Sequence, residues 1–269
     1  MKNSKAILSI LFLLLVFTNI NITAQEKFKI QDPEKHFSKK EKQIFEHAVN
    51  YEAAFYNRIF PDKKSIFSDI KFTVIPDQIT FAIYIEKLGG AVHPNSPGIY
   101  FPDAHELVVC TSKKYRGSLV VILCHELSHA FLHLHSDNKT IPAWLNEGLA
   151  VYLQGMTFDK KKITQRIDRR SVERLKTLIE LKDLDLSDFV TWNYQKFSIE
   201  SFTQEGYGYA VAYCMTLFLM QHDENNAITI FRNLTGEQDS KSTFDKYYPG
   251  GFEQFEKEFM EYWSKYKIM

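Results

Sequence analysis

His125-Glu126-Leu127-Ser128-His129, followed downstream by Pro142-Ala143-Trp144-Leu145-Asn146-Glu147-Gly148, is the pair of segments that decides the fold. The first reads H-E-x-x-H. On a helix, positions i and i+4 lie one above the other on the same face. His125 and His129 can therefore turn both imidazoles to one Zn²⁺, and Glu126 stands beside it, able to take a proton from a water held there. Glu147, eighteen residues past His129, would supply a third ligand from a second helix. Three protein ligands leave one position open for water, which is the arrangement of a catalytic zinc; a structural site closes with four. One zinc per chain is the expectation.

Two other histidines compete for the metal. His135 falls on the last position of H-E-x-x-H-x-x-G-x-x-H, but Leu132 holds the glycine position. The glycine allows the left-handed turn that swings a third histidine back, and leucine disfavours it. His133 shares the face of His125 and His129 one turn further on, and reads as a solvated helix-end residue. Glu147 has its own support: it sits among Trp144, Leu145, Leu149 and Ala150, where an unpaired carboxylate is costly to bury.

Outward from these segments the chain divides into an upstream half with strands and a helical downstream half. Lys39 to Phe60 carries apolar residues at helical spacing, with Ser38 as N-cap and Pro61-Asp62 as stop. Ile70 to Ile75 and Ile79 to Ile85 read as strands, closed by Pro76 and Gly89-Gly90. Ala91 to Gly98 is a loop; Gly98 to Phe101 and Glu106 to Thr111 flank Pro102-Asp103-Ala104-His105 as a hairpin. The zinc helix runs from near Gly117-Ser118 to about His133. Further helices are expected over Trp144 to Leu153, Ser171 to Lys182, Tyr207 to Gln221, Asn225 to Leu234 and Gly251 to Tyr266. The fold class is α+β: a small mixed sheet on the zinc helix (25–136), then a mostly helical subdomain (137–269) that brings Glu147.

The N-terminus carries Lys2 and Lys5, an apolar run from Ala6 to Phe17, and Ile22-Thr23-Ala24 as a loose small-residue site. That pattern is a signal peptide over 1–24, and the run is short for a bilayer span of about 20 residues. No later segment is apolar enough to span a membrane, so an exported protein, periplasmic or secreted, is expected. Removing the two lysines leaves 31 basic against 33 acidic residues. Near-neutral charge gives no electrostatic reason to expect nucleic acid or an anionic membrane as partner. Cys110, Cys124 and Cys214 are an odd number in apolar surroundings and make no disulfide framework; a Cys110–Cys124 bridge is possible by compartment alone.

The H-E-x-x-H segment together with P-x-W-x-x-E-G at Pro142 to Gly148 resembles the gluzincin branch of zinc peptidases, closest to the peptidase MA-like group. Tyr209-Ala210-Val211-Ala212-Tyr213 is similar to the Tyr-Ala start of that group's C-terminal helix, and the likeness covers roughly Leu119 to Tyr266. It implies a zincin-like fold, hydrolysis of peptide bonds in a peptide or protein substrate, and Glu147 as third ligand. It also implies an oxyanion stabiliser from the helical subdomain, for which Tyr209 is the first candidate and Tyr207 the second. Glu126 would be general base and then acid to the leaving amine. Two features depart from the pattern. No Gly-x-Met-Glu-Asn element stands here to recognise a free N-terminus, and the His129–Glu147 spacing is slightly short.

Asn146, Asp183 and Asp185 are conceivable partners for the outer nitrogens of the ligand histidines. Either hairpin strand could take up an extended peptide by strand addition. A non-catalytic zinc-binding scaffold, a site built on His135, and a carbohydrate-binding module stand as alternatives. The intact Glu126 argues against the first, because a structural site has no use for it.

Overall fold

The structure, a computed structural model, describes residues 37–62, 70–90, 97–136, 139–159, 162–236 and 239–267. The signal peptide expected over 1–24 and most of the loop expected at 91–98 lie outside the described residues.

The fold is α+β. Helix α1 (Lys39–Ile59) begins at a capping box in which Ser38 Oγ accepts from Glu41 N and Glu41 Oε2 accepts from Ser38 N. Strand β1 (Lys71–Ile75) leads to α2 (Gln78–Lys87), and β2 (Gly98–Phe101) turns back into β3 (Glu106–Cys110). A 3₁₀ turn at Arg116–Ser118 opens α3 (Leu119–His135), which carries the H-E-x-x-H residues. Helix α4 (Ala143–Gln154) carries Glu147. A hairpin, β4 (Met156–Asp159) and β5 (Lys162–Gln165), then precedes α5 (Arg169–Leu181), α6 (Leu186–Phe189), α7 (Tyr194–Thr203), α8 (Tyr207–His222), α9 (Glu224–Leu234), α10 (Ser240–Tyr247) and α11 (Gly251–Lys265).

Residues 79–85 correct the expectation of a strand. Ile79, Phe81, Ile83 and Ile85 alternate, but they also fall four apart in two pairs. Asp77 resolves the ambiguity by capping the segment, its carboxylate accepting from Thr80 N at 2.8 Å. As a helix the segment buries Phe81 and Ile85 and exposes Ile79 and Ile83.

The first sheet has the order β1-β3-β2, with β1 parallel and β2 antiparallel to β3. Alternate residues of β3 face opposite sides. Leu107 and Val109 join the main core with α1 and α3, whereas Val108 and Cys110 pack with Phe81 and Ile85 of α2. Because β3 is paired on both sides, Glu106 to Thr111 is no site for strand addition; of the two hairpin strands, β2 is the one at an edge of the sheet. Cys110 N donates to Pro97 O at 2.7 Å. With the register Ile99↔Val108, the bonds to β3 recur at Ile99 and Phe101, so the backbone groups of Tyr100 point outward.

One core runs from Phe37 to Trp263, through α1, α3, α4, α5, α8 and α11. Helix α4 lies between α3 and α8. Its approach to α8 is close at Gly148, where an added Cβ would stand 2.6 Å from Ala212 O and 2.5 Å from Thr216 Oγ1. The glycine after Glu147 thus sets how near the two helices come. No described helix is long and apolar enough to cross a membrane. Cys110, Cys124 and Cys214 are all buried and free, so the Cys110–Cys124 bridge does not form.

Candidate metal centre

α3 and α4 cross so that His125, His129 and Glu147 bring one ligand atom each within 4.8 Å of one another. His125 Nε2 and His129 Nε2 lie 3.6 and 3.8 Å from Glu147 Oε2, beyond hydrogen-bonding reach. The two imidazoles stand nearly perpendicular, 87° apart, as converging ligands on one helix face do. Glu147 Oε2 is buried with no hydrogen-bond partner. A buried carboxylate oxygen left this way is costly, and a cation among the three atoms is what would satisfy it.

The outer nitrogens tell the same story. His125 Nδ1 is 3.0 Å from Gln154 Oε1, and His129 Nδ1 is 3.0 Å from Asn146 Oδ1. An amide oxygen only accepts, so each Nδ1 carries the proton and donates it. That fixes the neutral tautomer with a bare lone pair on Nε2, the form a metal requires. Of the partners weighed from sequence, Asn146 takes this place; Asp183 and Asp185 do not line the cleft. Gln154 was missed, although it lies seven residues past Glu147, two turns along the same face of α4. One helix thus supplies a ligand and both orienting amides.

The charges are mutually adjusted. Burial pulls the His125 pKa down, but the facing Glu147 carboxylate and the Glu126 charge outweigh it, leaving the imidazole above its ordinary value. Burial pushes Glu147 up, yet His129 and His125 hold its carboxyl below the usual carboxylate range.

The cluster opens into a cleft of about 690 Å³. Glu126, the remaining acid in its lining, makes no hydrogen bond or ion pair among the described residues. Tyr209 lines the cleft and is 39% exposed; burial and the charges of Glu147 and Glu126 raise its phenol pKa. Tyr207, two residues away on α8, points elsewhere: it is buried against Trp192 at 5.4 Å and Phe189 at 6.0 Å, and does not reach the cleft. Tyr194 at the start of α7 does reach it, beside Asn146 and Glu147, and no motif in the sequence marked it.

The other histidines are settled by packing. His135 is buried between Tyr56, Phe60 and Phe131, its Nδ1 2.8 Å from Phe131 O, with no place in the cleft. His133 is not a solvated helix end. It lines the cleft, 3.1 Å from Tyr100 Oη through Nδ1, and burial with the nearby His105 lowers its pKa. Ser128, inside the motif, faces away and meets Tyr56 Oη at 2.6 Å, tying α3 to α1.

No curated protein matches the chain. Residues 120–239 match a family described as a protein of unknown function, DUF1570. The matched stretch contains both motif histidines, Glu126, Glu147 and Tyr209, so over these residues the chain is similar to that family.

Proposed function

We propose that the chain is an exported zinc peptidase of the gluzincin type, working as a mature protein from Gln25 after loss of residues 1–24. The observation that carries the reading is the convergence of two bare Nε2 atoms and an unpartnered buried carboxylate oxygen, with Glu126 unengaged beside them. Zinc ligands at about 2.0–2.1 Å in tetrahedral geometry stand about 3.3 Å apart. The 3.6 and 3.8 Å separations fit that with slight contraction.

When bound, zinc would lower the pKa of a water and polarise a scissile carbonyl. The chain's own groups do the rest. Glu126 accepts the proton of the attacking water and returns it to the leaving amine. Tyr209, protonated at neutral pH as a phenol is, donates to the carbonyl oxygen as charge develops there. Asn146 and Gln154 hold the imidazoles in place. The outer edge of β2, beside the cleft, offers the Tyr100 backbone to an extended substrate.

Glu126 favours this over a non-catalytic scaffold, since its carboxylate makes no hydrogen bond or ion pair among the described residues. The test is metal content of the mature protein and of Glu126→Gln, with both assayed on unfolded casein. One zinc in each, cleavage by the wild type alone and loss of cleavage with chelator are expected. Zinc in both with cleavage by neither would favour the scaffold. No zinc in either would end the proposal.

A further inference from the structure

The cleft is not confined to the α3 side of the sheet. It continues past the edge of β2 to Ile99, and to Phe81 and Ile85 of α2, which pack on the opposite face. We propose that Ile99, half-buried and backed by the buried Phe81 and Ile85, forms the floor of a specificity subsite for a large apolar side chain of a peptide substrate, so the enzyme selects its cleavage site by that residue. The proposal rests on the peptidase reading and on strand addition at β2.

The argument follows from strand geometry. A peptide paired along the outer edge of β2 sends successive side chains to opposite faces. The side chain opposite Tyr100 turns to the α3 face, where Tyr100 meets His133. Its neighbour, opposite Ile99, turns to the α2 face. Cross-strand neighbours on one face stand about 4.5–5.5 Å apart, which is contact. That side chain therefore lies on Ile99, with Phe81 and Ile85 behind it.

None of the three offers a hydrogen bond, and a polar or charged side chain would lose its water there without return. Elsewhere in the lining His133, Lys139 and Thr140 offer polar groups instead. Gly98 keeps the two regions joined: a Cβ there would come within 2.7 Å of Ile122 Cγ2 and 2.9 Å of Glu126 Cγ. The apolar wall thus begins beside the general base, and the selected residue lies close to the scissile bond.

Two measurements on the zinc-loaded mature protein test this. One is cleavage of peptide pools varied at a single position; the other is calorimetric binding of uncleaved peptides, differing only as Phe, Ser or Asp there, to Glu126→Gln. A preference of about 10–100-fold for the apolar residue is expected in both, the factor given by burying one large side chain. Ile99→Lys should abolish that preference and favour Asp. Ile99→Thr keeps a β-branched residue in the strand, guarding against misfolding, and should weaken it. Indifference of the wild type to this residue, failure of every peptide to bind, or an Ile99→Lys protein with unaltered preference would overturn the subsite. Apolar selection in binding without cleavage of any peptide would keep the subsite and remove the peptidase reading.

Discussion

Asn146 and Gln154 hold His129 and His125 from behind, and each is one amide away from a free imidazole. Replacing either by Ala leaves all three ligands but lets one ring rotate and shift its tautomer. Affinity for zinc, measured by competition with a chromogenic chelator, should fall about 10–100-fold in each variant. Unchanged affinity in both would mean the rings are held by packing alone. Tyr209 and Tyr207 separate by function in the same way. Tyr209→Phe should lower kcat about 100–1000-fold with little change in KM, since the hydrogen bond strengthens only as charge develops. Tyr207→Phe should leave turnover near the wild-type value. Sequence could not tell the two apart. Two residues on a helix are about 200° apart, so one faces the core whenever the other faces the cleft, but the spacing does not say which.

Helices α1, α3, α4 and α8 form the layers on which the site depends, and two contacts between them make predictions. Gly148→Ala puts a methyl group into the α4–α8 contact, against a backbone carbonyl that cannot move aside. Overpacking of this kind costs about 1–3 kcal/mol. It also displaces Glu147, so stability by denaturant and zinc affinity should fall together. Between α1 and α3, Glu52 is buried with only the weakly donating Cys124 thiol against its carboxyl. Burial raises its pKa well above the usual carboxylate value, only partly opposed by Cys124. The folded state thus binds the proton more tightly than the unfolded one. Stability is full below the ordinary carboxylate pKa and declines as pH rises toward the folded value. In thermal melts from pH 5 to 9, Glu52→Gln should flatten that decline; an unchanged slope would place its origin elsewhere.

At this scale the sequence was legible where one signal acted alone. Ser38 and the apolar period of α1 agree, α3 and α4 follow from the H-E-x-x-H and P-x-W-x-x-E-G segments, and α8 follows from a long apolar run that is buried nearly all round. Residues 79–85 satisfy a period of two and a period of four together, and the Asp77 cap decides between them. The β4–β5 hairpin and the short α6 and α7 carry weak local patterns. Their places come from docking on the core, so Tyr194 reached the cleft unannounced.

Among the described residues one main core holds α3 and α4 in its middle, with a smaller cluster between β3 and α2 on the other face of the sheet. Unfolding followed by far-ultraviolet circular dichroism and by tryptophan fluorescence should therefore give one coincident transition. Zinc bound only to the folded state adds stability that grows with its concentration, so chelator should lower the Tm of that same transition without splitting it. The far end of the core feels the same coupling. Phe255 is fully buried, 4.3 Å from the ring of Phe244. Phe255→Ala should cost about 3–5 kcal/mol and lower the chelated and the zinc-loaded melting temperatures alike. Two separate transitions would show that the two halves fold independently.

The three buried thiols bear on how the chain can be handled. Burial pushes Cys124 and Cys214 well up, so little thiolate forms at neutral pH for an oxidant to attack. No covalent cross-link is made on the way to the native state, so folding waits on neither an oxidant nor an isomerase. Material refolded with a reductant present and material folded in an oxidising compartment should be the same molecule, with the same mass, melting curve and metal content.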